Sequence, residues 1–252
     1  MNFINFYKNK TILVTGSNGV LGKKISSFFS SCKAKLVLID VDNNSHFKYK
    51  NSKYYSIDFT NLKEVENKFR SIYLDIKKID LIINNAAYTG SNSKWIKPFH
   101  QQTLNDWRNA NKVNVDSIFI LTKIFSKKLK ENNGKIVNIG SIFGTKVPNF
   151  KNYIGTKMNS PAAYSISKNI LFHMTKWLAS NLAPNVNVNM ISPGGIKRKQ
   201  SKKFIQKYLQ ATPLKRMCTE DDIIKALIFL SSDFSDYITG QNIIVDGGYS
   251  IL

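Results

Sequence analysis

Short apolar runs that each stop at a glycine or a small polar residue, with a helical stretch between one run and the next, constrain this chain more than any other feature. Thr11 to Thr15 stops at Gly16, Gly19 and Gly22, which open a helix reaching about Ser31. Lys35 to Ile39 ends in Asp40, Tyr54 to Ile57 in Asp58, and Leu81 to Ile83 in Asn84 and Asn85. Ile136 to Ile139 ends in Gly140 and Ser141, Val186 to Ile191 in Pro193, Gly194 and Gly195, and Ile243 to Val245 makes a last run. Helical patterns fill Leu62 to Leu74, Leu104 to Leu129 with Ile118, Leu121, Phe125 and Leu129 on one side, and Asp221 to Leu230. Such alternation needs crossover connections, so the strands lie parallel and the helices cover both faces. The expectation is one α/β domain, a doubly wound sheet of seven parallel strands. A chain of 252 residues is long enough to bury that core, and no repeat, linker or second domain interrupts it.

The polar and glycine residues gather at the carboxyl ends of the strands, the edge where an open parallel sheet binds ligands. Thr15-Gly16-Ser17-Asn18-Gly19-Val20-Leu21-Gly22 follows a strand and opens a helix. Its glycines allow backbone to approach a pyrophosphate, and the free helix amides favour the negative charge. Asp40 stands 24 residues after Gly16, at the end of the second strand. A carboxylate there can accept both ribose hydroxyls of NAD and repels the extra phosphate of NADP. No arginine or lysine stands in the turn or directly after Asp40 to offset it, so NAD is favoured over NADP.

Tyr164 and Lys168 are four residues apart at the start of a long helical pattern, which puts phenol and ammonium on one face. A phenol with a pKa of about 10 needs such a neighbouring charge to exchange protons near neutral pH. Tyr153 and Lys157 share the spacing, but Gly155 interrupts them and Asn159, Ser160 and Pro161 follow as loop and helix-start signals. After Tyr164, by contrast, Ile166, Ile170, Met174, Trp177 and Leu178 form a helical stripe that reads as buried.

Together these residues resemble the classical short-chain dehydrogenase/reductase family over nearly the whole chain. The resemblance is carried by the glycine turn, Asp58, Asn84-Asn85-Ala86-Ala87, Val113-Asn114, Ser141, Tyr164 with Lys168, Pro193-Gly194 and Val245-Asp246-Gly247-Gly248. It implies a Rossmann fold and hydride transfer between a substrate carbon and a nicotinamide. Tyr164 would exchange a proton with the substrate oxygen, and Ser141 would hydrogen-bond that oxygen. Lys168 would lower the tyrosine pKa and hold the nicotinamide ribose, and Asn114 would hold a water linking Lys168 to solvent. The turn residues Gly16, Asn18, Gly19, Val20, Leu21 and Gly22 would hold the pyrophosphate. Asp58 would bond the adenine amino group, with Phe59, Asn85, Ala86 and Ala87 beside the adenosine. Pro193, Gly194, Gly195 and Ile196 would flank the nicotinamide. The family also implies a homotetramer or homodimer, paired through the helices of Asn114 and Tyr164 and through the last strand.

Two departures stand out. Gly16, Gly19 and Gly22 follow the glycine spacing of the family's extended branch, although the chain is too short for that branch's substrate domain. The interval from Ser141 to Tyr164 is 23 residues, longer than the classical family uses, and Tyr153 occupies the usual position. Tyr164 remains preferred because it precedes Pro193 by 29 residues, the interval that the family's helix and sixth strand call for. Residues 144–161 then form an insertion beside the substrate, and 197–212 a lid. This combination resembles oxidoreductases of flagellin-modification and surface-glycan gene clusters, which implies a sugar nucleotide or sugar acid. Lys146, Lys151, Lys157, Lys197, Arg198, Lys199, Lys202 and Lys203 could attract its charge, or could simply be a solvated face. A 3-oxoacyl thioester on a carrier protein is the enzymatic alternative, and a silent dinucleotide-binding sensor or scaffold the non-enzymatic one.

The net charge of +21 rests on lysine, with four arginines in the chain. No lysine run interleaves with base-stacking aromatics, so nucleic acid is not expected. No apolar stretch approaches a membrane span or a secretory leader. Cys32 and Cys218 match no metal spacing, nor do His46, His100 and His173. The expected setting is cytoplasmic and metal is not required.

Overall fold

The computed structural model describes residues 3–44, 49–89 and 97–251; His46 and Trp95 lie outside the described residues. Seven parallel strands form one sheet in the order β3-β2-β1-β4-β5-β6-β7. They are β1 (Thr11–Thr15), β2 (Lys35–Asp40), β3 (Ser52–Ser56), β4 (Leu81–Asn84), β5 (Lys135–Ile139), β6 (Asn187–Pro193) and β7 (Asn242–Val245). β1 and β4 are buried along their whole length, as apolar runs without polar alternation must be when helices cover both faces. The chain runs outward from β1 to β3 and returns to place β4 on the other side of β1. Connections on opposite faces leave a crevice at the carboxyl ends of β1 and β4.

Among the helices, α1 (Phe3–Tyr7) and α2 (Val20–Ser31) lie on one face, and α3 (Leu62–Asp75) on the other. α4 (Leu104–Asn111) leads into α5 (Ser117–Glu131), followed by α6 (Ala162–Leu182), α7 (Lys202–Gln210) and α8 (Glu220–Ser231). Ile25 and Phe29 of α2 and Ile223 and Leu227 of α8 make one core layer with Tyr7. Phe69 of α3, Leu121 and Phe125 of α5 and Leu178 of α6 make the opposite layer. α1 has no counterpart in the sequence expectation; its anchor is the buried Tyr7, whose hydroxyl lies 2.7 Å from Ser231 Oγ.

Two elements differ from the sequence reading. The single helix expected from Leu104 to Leu129 is divided by a π-helical turn at Lys112–Asp116. Asn114 lies in that turn, and the widened backbone is where such bulges commonly serve a site. The apolar stripe expected on α6 is buried only in part: Leu178 is in the core and Met174 packs against it, whereas Ile166 is 43% exposed, Ile170 38% and Trp177 55%. The rest of the buried face is Ala163, Ser167, Lys168, Leu171, Thr175, Ala179 and Leu182. Ser167, Lys168 and Thr175 spend their polar groups on internal partners, so hydrophobicity alone misses part of the buried side of this helix.

Candidate active site

The glycine turn is shaped by contacts only glycine permits. Gly16 has φ +66, and a Cβ there would lie 2.8 Å from Ala86 Cα; at Gly22 it would lie 2.0 Å from Gly16 O. The turn thus presents bare backbone at the start of α2, which fits a pyrophosphate. The Thr15 hydroxyl accepts from the amides of Asn85 and Ala86, both at 3.1 Å, and Asn85 Nδ2 donates to the carbonyls of Thr15 and Gly16, both at 3.0 Å. Asn85 therefore ties the end of β4 to the turn.

Asp40 is fixed beside this turn. Its Oδ2 accepts from the Asn18 amide and its Oδ1 from the Val41 amide, at 2.7 and 2.8 Å. A carboxylate oxygen has a further lone pair, so this anchored group can still accept ribose hydroxyls. Asp58 accepts from both the amide and the hydroxyl of Thr60 at 2.8 Å. The side chain of Phe59 is buried against Phe69.

Tyr164 and Lys168 share the first turns of α6. Lys168 is 2% exposed, and its Nζ donates to Ile139 O at 2.8 Å and lies 5.9 Å from the centre of the Tyr164 ring. Burial lowers the lysine pKa to about 8. Burial also raises the pKa of Tyr164, with a hydrogen bond from the Ser141 side chain acting in the opposite direction. The tyrosine shift is thus opposite to the one expected from its lysine neighbour, because desolvation opposes both charged forms. Ser141 Oγ also accepts from Phe143 N at 3.1 Å.

Tyr153 lies near enough to Tyr164 to interact with it electrostatically, but on a different element. It ends a 3₁₀ turn, Phe150–Tyr153, packs its ring 5.4 Å from that of Phe204, and has its pKa pushed up by burial. Lys157 is exposed, and no rigid helix joins it to Tyr153. Only the Tyr164 pair stands on one helix with its lysine buried.

Asn114 is fully buried, and its amide is divided among three partners. Oδ1 accepts from Tyr88 N at 2.8 Å, while Nδ2 donates to Tyr88 O at 3.1 Å and Ser167 Oγ at 2.9 Å. Tyr88, Ser167 and the Ile139 carbonyl are members of the site that the sequence does not signal, because each acts through a contact distant in the chain. Behind them, Asn84 Nδ2 donates to Asn138 Oδ1 and Asn138 Nδ2 to Thr175 Oγ1, both at 2.8 Å.

On the other side, Gly194 N donates to Val245 O at 2.9 Å and Gly195 N to the Tyr208 hydroxyl at 2.6 Å. Ile196 pairs with Cys218 in a parallel bridge. The segments 144–161 and 197–212, the latter carrying α7, pack together through Tyr153, Phe204 and Tyr208. Of the lysines expected near the substrate, Lys146 donates to Ser250 O at 3.2 Å; Lys151, Lys157, Lys197, Lys199, Lys202 and Lys203 are exposed. Arg198 pairs with Glu220 at 2.6 Å.

A phosphate-ready turn at the switch point of a doubly wound sheet, with tyrosine, serine and a buried lysine a few strands away, defines a dinucleotide-dependent oxidoreductase. Comparison with known proteins gives the family. A family model described as enoyl-(acyl carrier protein) reductase matches residues 17–250. The 3-oxoacyl-(acyl-carrier-protein) reductase FabG of Buchnera aphidicola subsp. Schizaphis graminum is 33% identical, over 96% of this chain and 97% of that protein. Post-translational flagellin modification protein A of Campylobacter coli is 29% identical, over 97% and 99%. The crystal structure of a short chain dehydrogenase from Leptospira borgpetersenii with bound NAD+ superposes with a TM-score of 0.90 at 33% identity, covering 99% of this chain and 96% of that one. The chain belongs to the short-chain dehydrogenase/reductase family, oxidoreductases acting on alcohol and ketone groups.

Proposed function

We propose that this chain is an NAD-dependent oxidoreductase that interconverts a secondary alcohol and a ketone on a sugar nucleotide or sugar acid used in surface-glycan synthesis. The observation that carries the reaction class is the placement of the Tyr164 hydroxyl with Ser141, above a lysine buried on the same helix. Ser141 holds the substrate oxygen and Tyr164 gives it a proton in reduction or takes one in oxidation. Lys168, with a pKa of about 8, holds the nicotinamide ribose and passes protons beneath the phenol, and Asn114 orients the water that connects it to solvent. A bound nicotinamide would supply or accept the hydride.

Gly16, Asn18, Gly19, Val20, Leu21 and Gly22 would cradle the pyrophosphate, and Asp40 the adenosine ribose. Asp58, Phe59, Asn85, Ala86 and Ala87 would hold the adenosine side, and Pro193 to Ile196 the nicotinamide. The fixed carboxylate of Asp40 supports NAD over NADP, as does the NAD+ bound by the Leptospira relative. The 144–161 insertion and the likeness to flagellin modification protein A support the carbohydrate reading. The likeness to FabG supports a second reading, reduction of a 3-oxoacyl thioester. The exposed apolar residues Ile166, Ile170 and Trp177 on α6, with Phe119 on α5, support assembly as a homodimer or homotetramer. Among the described residues no helix is long and apolar enough to cross a membrane, in keeping with a cytoplasmic enzyme.

Titration with NADH and NADPH, followed by the fluorescence of the tryptophans, tests the cofactor. Tighter NADH binding is expected, and turnover with sugar acids or sugar nucleotides should then exceed that with 3-oxoacyl thioesters. NADPH preference together with thioester turnover would replace the first reading by the second.

A further inference from the structure

α7 is tied to three parts of the molecule through consecutive residues. Tyr208 accepts the Gly195 amide at 2.6 Å, and its ring lies against that glycine so closely that a Cβ would come within 2.9 Å of it. The same ring stacks on Tyr249 near the carboxyl end, with centroids 4.5 Å apart and planes 5° from parallel. The Tyr249 hydroxyl in turn accepts from Asn152 of the insertion at 2.8 Å. One residue earlier, Lys207 Nζ donates to the carbonyls of Lys151 and Ile154, at 3.0 and 2.9 Å. The base of the segment is closed by Cys218 N to Gly195 O at 3.0 Å.

We infer that Tyr208 is a positioning residue that makes the seat of the nicotinamide and the closed position of α7 one cooperative unit. The inference rests on the reading of 193–196 as that seat. Gly195 must be glycine because the tyrosine ring takes the space of its side chain, and its amide has its acceptor only while α7 is in place. Moving α7 away therefore removes the acceptor of the Gly195 amide and one of the ties on this stretch, and a ligand that holds the stretch in place favours α7 in its observed position. Tyr249 and Asn152 carry the same closure to the insertion, so substrate-side and cofactor-side walls order together.

Amide hydrogen exchange with and without NADH tests this. In the wild-type protein NADH should slow exchange at 193–196 and across 202–210 together. Tyr208→Phe keeps the ring and the stack but removes the acceptor. It should speed exchange at 193–196, weaken NADH binding about fivefold, the worth of one net hydrogen bond, and abolish the NADH-induced protection of 202–210. Protection of 193–196 alone in the wild-type protein would overturn the coupling. So would a Tyr208→Phe variant that only loses thermal stability, with NADH affinity unchanged. Failure of the wild-type protein to bind either dinucleotide would instead overturn the cofactor-seat reading, and the inference with it.

Discussion

Replacing Lys168 with methionine should remove turnover and yet make the protein more stable at neutral pH. Lys168 is 2% exposed with a pKa lowered from 10.5 to about 8 by burial. Between those values the unfolded chain carries the proton and the folded protein does not, so stability rises with pH across that window. The whole cost of the buried ammonium, about 3 kcal/mol, is present below pH 8 and has faded by about pH 10.5. Methionine fills much of the same space and removes that cost, at the loss of the hydrogen bond to Ile139 O, worth about 1–2 kcal/mol. The variant should therefore be more stable by about 1–2 kcal/mol at pH 7, with the advantage gone near pH 10. For a chain of this size the swing is about 5 °C in the difference between the two melting temperatures. Thermal unfolding of both proteins from pH 7 to pH 10 measures it, and tyrosine titrations common to both cancel in the difference. A difference that does not change with pH would refute the account of Lys168 as a buried charge held against its own desolvation.

Three further outcomes are expected. Tyr164→Phe should lower turnover by at least about 100-fold, the usual scale for a lost proton-transfer group, with NADH binding retained; Tyr153→Phe should keep much of the rate, and steady-state kinetics of the two variants would expose a reversed assignment. Asp40→Ala should weaken NADH by about 1.5–3 kcal/mol, the worth of a hydrogen bond to a charged group, and NADPH by less; equal losses in parallel titrations would remove Asp40 as the discriminator. Gly22→Ala should abolish dinucleotide binding or folding, because its Cβ would fall 2.0 Å from Gly16 O; calorimetric titration of a folded variant with unchanged affinity would contradict the packed-turn argument.

The strands and their order of appearance were legible because buried parallel strands leave unbroken apolar runs, and glycine or asparagine marks where each one ends. Tyr164 could be set apart from Tyr153 because only one of the two opens a continuous helical pattern. What the sequence hid depends on contacts between distant segments. Nothing near Asn114 announces a π-helical turn, and the partners its amide meets there, Tyr88 and Ser167, are distant in the chain. The buried side of α6 is only partly legible, through Leu178, because its interior also carries hydroxyls and an ammonium while isoleucine and tryptophan lie outside. The direction of the Tyr164 shift was also out of reach, as proximity to a lysine is visible in sequence and the depth at which both are buried is not.

The buried Asn84, Asn138 and Thr175 have a consequence for how the sheet chooses its alignment. Leu81 to Asn84 and Lys135 to Ile139 are apolar enough that sliding one strand past the other by two residues would keep every side chain on its proper face. Asn84 and Asn138 are direct partners in the ladder, and their amides meet only in that alignment. A slip of β4 would part the Asn84 and Asn138 amides, at about 1–3 kcal/mol for each group left unpaired, while Asn138 stays bonded to Thr175 of α6. These side chains thus act as a keyed joint at the centre of the sheet, selecting one arrangement among several that greasy packing would accept, and α6 is indexed to β5 by the same key.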